Sequence, residues 1–439
     1  MQNRFNRIWA ILISILLLIG IYYSPPVHDR LAWRLESART QIKYMINPPD
    51  EAVFQPTQQA MMESIVHSTM TAMQAESSPA ATSTHEPGPA AILTITPTPL
   101  PATVILEGIK YEDQHGRQNS CTPANFSMAL TYWGWDGNRD VIIKAVKPND
   151  KDKNVMPYEI QDYITEHAPG ITSVMRYGGD IDMLKRMVSA GFPVVVEKGI
   201  YEVDLNGKYG WMGHDAFVTG YDDANQLIIY QDTYQPDPVK NPGHNRKIGY
   251  AEFNDGWRAF NYVFVVVYPV EKQNYVMTLL GALADDGQAS HHALDVATAE
   301  TQTLTGADRF FAWFNVGTSH IALFQYADAA IAYDYAFSVY ADLDADDTVR
   351  PYRMLWYQTG PYKAYYYTNR FADVINLANT TLNDTIAEPV LEESLYWRGQ
   401  AYYMAGQTDL AVKDYRAALK VHPHWGPATQ ALQDLGIQL

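Results

Sequence analysis

One cysteine, Cys121, stands directly before a Thr-Pro pair in the stretch QHGRQNSCTPANFSMAL. A lone thiol makes no internal disulfide, so it is a buried apolar residue, an accident or a reagent. Thr122-Pro123 is a helix-start signal, with Thr as N-cap and Pro at the first helical position. A thiol just before a helix N-terminus faces unpaired N–H groups and the positive end of the dipole, which favour its anion. A thiolate nucleophile needs a partner base. His214 opens a strand-like run, GHDAFVTGYDD, and Asp232 ends the next one, QLIIYQD. Two antiparallel strands joined by the turn Asp222-Asp223-Ala224-Asn225 bring that imidazole and that carboxylate to neighbouring positions. Nucleophile, base and orienter then follow in the order Cys, His, Asp. Gln114, seven residues before the cysteine, supplies a side-chain N–H for an oxyanion hole. Asp215 is a competing carboxylate, but adjacent strand residues point to opposite faces.

The elements that must position these groups run from Leu106 to about Val270. Helices are expected near 123–134, 157–167 and 180–190, and strands at FPVVVEKG, HDAFVTGYD, QLIIYQD and YVFVVVYP. Helices first and strands afterwards predict an α+β domain over 105–271.

The pattern Gln114, Cys121, His214 in GHDAFVTGYD and Asp232 resembles peptidase family C-39-like, a group of papain-like cysteine peptidases. The intervening IDMLKRMVSAGFPVVVEKG is similar to that family's helix, Gly-x-Pro turn and central strand. The resemblance covers roughly residues 106 to 270. It implies Cys121 as nucleophile, His214 as base, Asp232 as orienter and Gln114 as oxyanion donor. Thr122 departs from the family, which usually has glycine after the cysteine. Leader peptidases of this kind work beside an ATP-driven transporter, and the chain carries no Walker motif, so their substrate is not carried over.

Beyond residue 271 the strand-like runs stop, and 272–439 reads as an all-α, tetratricopeptide-like solenoid. Gly281 to Ala293, Gly317 to Ala329, Gly360 to Ala372 and Gly399 to Ala411 share one spacing, the small-residue offset that lets paired helices approach. Gly399, Tyr402, Ala411, Tyr415, Ala418 and Pro423, and likewise Trp313, Gly317, Ala329, Tyr333 and Ala336, are similar to tetratricopeptide motifs. The Gly281 and Gly360 copies are degenerate. Such arrays bind a protein or peptide partner in a concave groove.

The N-terminal part supplies context. The uncharged run Ile8–Tyr23 follows Arg4 and Arg7 and spans roughly 24 Å at about 1.5 Å per residue, near the ~30 Å of a hydrocarbon core. Residues 1–27 therefore read as a cytoplasmic stub and transmembrane helix, with the bulk extracytoplasmic; the alternative is a cleaved signal peptide, although no small-residue cleavage site follows the run. Residues 28–46 read as a juxtamembrane helix, and 47–104, rich in Pro, Thr and Ser, as an extended stalk. A formal charge of -17 with no basic cluster argues against nucleic-acid partners. No cofactor is implied. No metal site is predicted either, since His291-His292 has no ligand-spaced neighbour. The expected function is a membrane-anchored cysteine peptidase acting on a peptide or protein substrate. The alternatives are a non-catalytic surface adaptor, and acyl transfer to an amine by the same residues.

Overall fold

The computed structural model describes Phe54, 99–117, 119–204, 208–234, 242–344, 346, 349–386 and 388–438. The expected anchor (8–23), the juxtamembrane helix (28–46) and most of the stalk lie outside these residues. No described helix is long and apolar enough to cross a membrane.

Among the described residues, seven strands form one sheet in which every pairing is antiparallel: β1 (Thr103–Ile105), β2 (Ile171–Arg176), β3 (Val194–Val203), β4 (Tyr209–Asp222), β5 (Leu227–Asp232), β6 (Arg246–Gly249) and β7 (Phe264–Pro269). Their order is β2-β7-β3-β4-β5-β6, and β1 pairs with the far end of β4. Both faces are covered. Val195, Phe217, Val265 and Val267 pack with helices α1 (Cys121–Tyr132), α2 (Arg139–Val146) and α3 (Pro157–His167). Val194, Val196, Ala216, Val218, Phe264 and Val266 pack with α4 (Ile181–Ser189), α5 (Tyr250–Arg258) and α6 (Gln273–Leu280). Strict alternation along the strands thus feeds two apolar layers, which explains why YVFVVVYP reads as a nearly unbroken apolar run.

The helices and strands differ from expectation in several places. Strands β1, β2 and β6 and helices α2 and α5 lie outside the expected runs, β2 because ITSVMR is short and half-polar. The stalk assigned to 47–104 runs into β1, whose Thr103 and Val104 are sheet residues. Phe54, within the same assignment, is buried at 2% exposure against Phe337 and Tyr340, with ring centroids 5.6 and 5.5 Å away. At that residue the chain is part of a core, where a buried phenyl contributes about 1.5–3 kcal/mol.

After β7 the chain is helical: α7 (Asp286–Thr303), α8 (Gly306–Ala322), α9 (Tyr326–Asp342), α10 (Met354–Tyr357), α11 (Gly360–Tyr367), α12 (Phe371–Asn383), α13 (Glu392–Met404), α14 (Thr408–Val421) and α15 (Gly426–Asp434). A Cβ on Gly317 would lie 2.6 Å from the ring of Tyr333, and one on Gly399 would lie 2.6 Å from that of Tyr415. Each tyrosine follows its glycine by sixteen positions, so the two helix pairs close by the same contact. Gly281 plays no such part. It sits between α6 and the next helical turn at φ 60°, a left-handed position that stops a helix.

The sheet domain and the helices share a core. Trp211, Ala259, Phe260 and Val263 cluster with Phe310, Phe311, Phe314, Tyr333 and Tyr357's neighbours Met354 and Leu355. Trp211 stacks on Phe260 at 5.8 Å and meets Phe311 at 5.7 Å.

Candidate active site

Helix α1 begins two residues earlier than its sequence signal. Cys121 is the first helical residue and Ser120 the N-cap, with no side-chain capping bond. The Thr122 hydroxyl is engaged elsewhere, by the carboxylate of Asp215 on β4. Asn125, fully buried one turn further on, donates from Nδ2 to the Cys121 carbonyl at 2.9 Å and to the Asp215 carbonyl at 3.2 Å. The turn that bears Cys121 is therefore fastened to the strand that carries His214.

Strand pairing brings the next two groups together. Asp232 lies opposite Ala216, two residues from His214, so the His and Asp side chains share a face. His214 Nε2 is 2.9 Å from Asp232 Oδ1, and both residues are buried. Asp232 Oδ1 also accepts the Tyr234 N–H at 3.0 Å, and Arg246 Nη1 stands 3.6 Å from Oδ2. The imidazole is hydrogen-bonded to the Cys121 side chain as well. Because Nε2 is taken by Asp232, Nδ1 is the nitrogen left for the thiol.

The electrostatics follow from these contacts. Burial alone would lower the pKa of His214, but the hydrogen bonds and charges of Asp232 and Cys121 outweigh it and raise the group to about 10. Burial would raise Asp232, yet its hydrogen bond to His214 holds it below the usual carboxylate value. Asp215 behaves oppositely: burial pushes it up to about 6, against the Thr122 hydrogen bond and the His214 charge. Glu197 lies opposite Asp215 in the β3–β4 register. Burial, then repulsion by Asp215 and by Cys121, drives Glu197 well above the ordinary range.

Gln114 runs beside the end of β5. Its backbone N–H donates to the Thr233 carbonyl at 2.9 Å, and its side-chain Oε1 is buried with no hydrogen-bond partner among the described residues. Tyr111 reinforces this loop by donating to the Asp232 carbonyl at 2.7 Å. Among the other histidines, His244 contacts Asn245, while His291 and His292 are exposed on α7.

Sequence reasoning missed Asn125, Thr122 and Glu197 as parts of the site. An asparagine one turn after Cys121, on an otherwise apolar helix face, was the available signal, because a buried amide must find partners. A cavity of about 340 Å³ opens between the sheet and the helical region, lined by Glu197, Phe260, Tyr357, Gln358, Gly360 and Lys363 among others. Two of the lining residues, Glu197 and Tyr357, feel the charge of Cys121, but Cys121 and His214 themselves do not line the cavity.

Comparison with known proteins gives three findings. The model of the Peptidase_C39 like family matches residues 106–265, and that of the tetratricopeptide repeat matches residues 392–425. No curated protein matches the chain. Among solved structures, one described as a C39-like peptidase from Bacillus anthracis is similar over 38% of this chain and 97% of that chain, at 16% identity and a TM-score of 0.30. Residues 106–265 are a C39-like peptidase domain, and residues 392–425 are a tetratricopeptide repeat.

Proposed function

We propose that the protein is a cysteine peptidase whose helical region docks a protein partner or substrate. The observation that carries the reading is the buried His214 imidazole, hydrogen-bonded to Asp232 on one side and Cys121 on the other. In the proposed cycle the Cys121 thiolate attacks the scissile carbonyl carbon. The His214 imidazolium gives its proton to the departing amine as the C–N bond breaks. A water then gives a proton to His214 and attacks the thioester, and the Cys121 sulfur leaves with the pair of electrons that bound it to carbon. Asp232 keeps one imidazole tautomer and supports its positive charge. Gln114 is the candidate side-chain donor to the oxyanion.

The substrate strand would enter the cavity beside Glu197 and Tyr357, whose walls come from both regions of the chain. The run Ile8–Tyr23 supports a membrane anchor with the peptidase domain outside the cytoplasm. The test is turnover of a fluorogenic peptide library by the wild type and by Cys121→Ala, with product analysis in the presence and absence of an amine acceptor. Cleavage that vanishes in the variant supports the reading, and products carrying the amine would make it a transferase. No turnover of any library member, together with retained partner binding, would turn the reading to the adaptor.

A further inference from the structure

A second cluster of chemically capable side chains lies away from Cys121, at the seam between α3 and the tetratricopeptide repeat. Glu159 comes from the first turn of α3, Glu392 is the first residue of α13, and His422 caps the end of α14. Their donor atoms all lie within 4.8 Å of one another. His422 Nδ1 is 3.2 Å from Glu392 Oε1 and 3.4 Å from Glu159 Oε1. Glu159 uses its other oxygen, Oε2, to accept the Met156 N–H at 2.8 Å, which leaves Oε1 turned to the gap.

Glu392 Oε2 has no hydrogen-bond partner among the described residues, and Glu159 Oε1 faces only His422 Nδ1, at 3.4 Å. The residues that carry them are 1% and 8% exposed. A buried carboxylate oxygen without a donor is costly, so its position calls for a cation. The distances agree with that. Oxygen and imidazole ligands at about 2.0–2.2 Å from a tetrahedral zinc ion stand about 3.3 Å from each other, close to the two separations seen here.

We propose that Glu159, Glu392 and His422 bind a divalent cation, Zn²⁺ before Mn²⁺ on the mixed imidazole and carboxylate donor set, which clamps the peptidase domain to its tetratricopeptide repeat. Neighbouring polar contacts already span the same seam. Lys151 pairs with Glu388 at 2.9 Å, Tyr158 donates to Glu393 at 3.4 Å, and Trp425 donates to Tyr158 at 3.2 Å. The ion would join α3 to both helices of the repeat.

The experiment uses the full chain, stripped with EDTA, dialysed and titrated with ZnCl₂ and separately MnCl₂ by calorimetry, with metal content read by mass spectrometry. Cys121→Ser is run in parallel, because a thiolate beside His214 is a competing zinc site. The expected result is one equivalent of zinc in the wild type and in Cys121→Ser, weakened at least about tenfold in Glu392→Gln and His422→Gln. Diethyl pyrocarbonate modification of His422, mapped on the wild type, should be suppressed by zinc, which keeps the proposal decidable if a variant fails to fold. No saturable binding to the wild type overturns it. So does binding abolished by Cys121→Ser, binding indifferent to both seam variants when they fold, or His422 modification unaffected by zinc.

Discussion

The side-chain amide of Asn125 lies 3.2 Å from the backbone carbonyl oxygen of Asp215, and the same nitrogen is 2.9 Å from the carbonyl of Cys121. One buried amide thus holds the first turn of α1 against β4, one residue from His214.

That linkage sets a first prediction. Asn125→Ala removes the donor from two buried carbonyls and should cost about 1–3 kcal/mol. Asn125→Asp should be worse, since a carboxylate would face two carbonyl oxygens. Thermal unfolding checks the order: equal melting temperatures for the two variants would mean the amide holds nothing.

His214 gives a pH prediction. Its folded pKa of about 10 stands above the ordinary 6.5, so protonation favours the fold. The contribution is fully present below pH 6.5 and is lost as pH rises through 10. The gap in melting temperature between wild type and His214→Ala should therefore narrow across that window. Alkylation of Cys121, the chain's single cysteine, should be slower in His214→Ala than in the wild type. Identical labelling profiles would remove the imidazolium partner from the mechanism.

Asp232→Asn should preserve the fold yet allow the wrong imidazole tautomer. A fall in kcat of roughly 10²- to 10⁴-fold, with little change in KM, is the expected outcome. Steady-state kinetics on the best library peptide measures it, and a pure KM effect would assign Asp232 to substrate binding instead.

Asp215 carries the opposite sign to Asp232. Its folded pKa of about 6 exceeds the ordinary 3.8, so ionisation opposes folding and the penalty grows as pH rises from 3.8 through 6. Asp215→Asn, which still accepts from Thr122, should gain stability relative to wild type at pH 7.5 compared with pH 4. Chemical denaturation at the two pH values decides it, and a constant difference would contradict the burial argument.

In the helical region, Gly399→Ala should cost about 1–3 kcal/mol by overpacking, because the new methyl would meet the Tyr415 ring at 2.6 Å. Adding Tyr415→Leu should recover part of that loss, as read from urea unfolding of the single and double variants. No recovery would place the strain on the helix backbone.

The sequence by itself determined the parts set by local physics. The β-branched runs specified β3, β4, β5 and β7, because their alternation has only one way to bury both faces. The Asp222–Asn225 turn specified the β4–β5 hairpin, and with it the nearness of His214 to Asp232. The glycine and alanine spacing marked the helix pairs closed by Tyr333 and Tyr415. Tertiary structure decided whatever depended on partners distant in the chain. The Thr122 hydroxyl became a partner of Asp215 rather than a cap, since β4 offers a buried carboxylate where α1 starts. Short, half-polar β2 became a strand only because β7 presents a full ladder to it. Phe54 became core because Phe337 and Tyr340 leave a place for a ring. Glu159, Glu392 and His422, which share no sequence spacing, meet only because the repeat folds back onto α3. Hydrophobic periodicity is a local signal, whereas the pairing of buried polar groups is settled by the packing of whole elements.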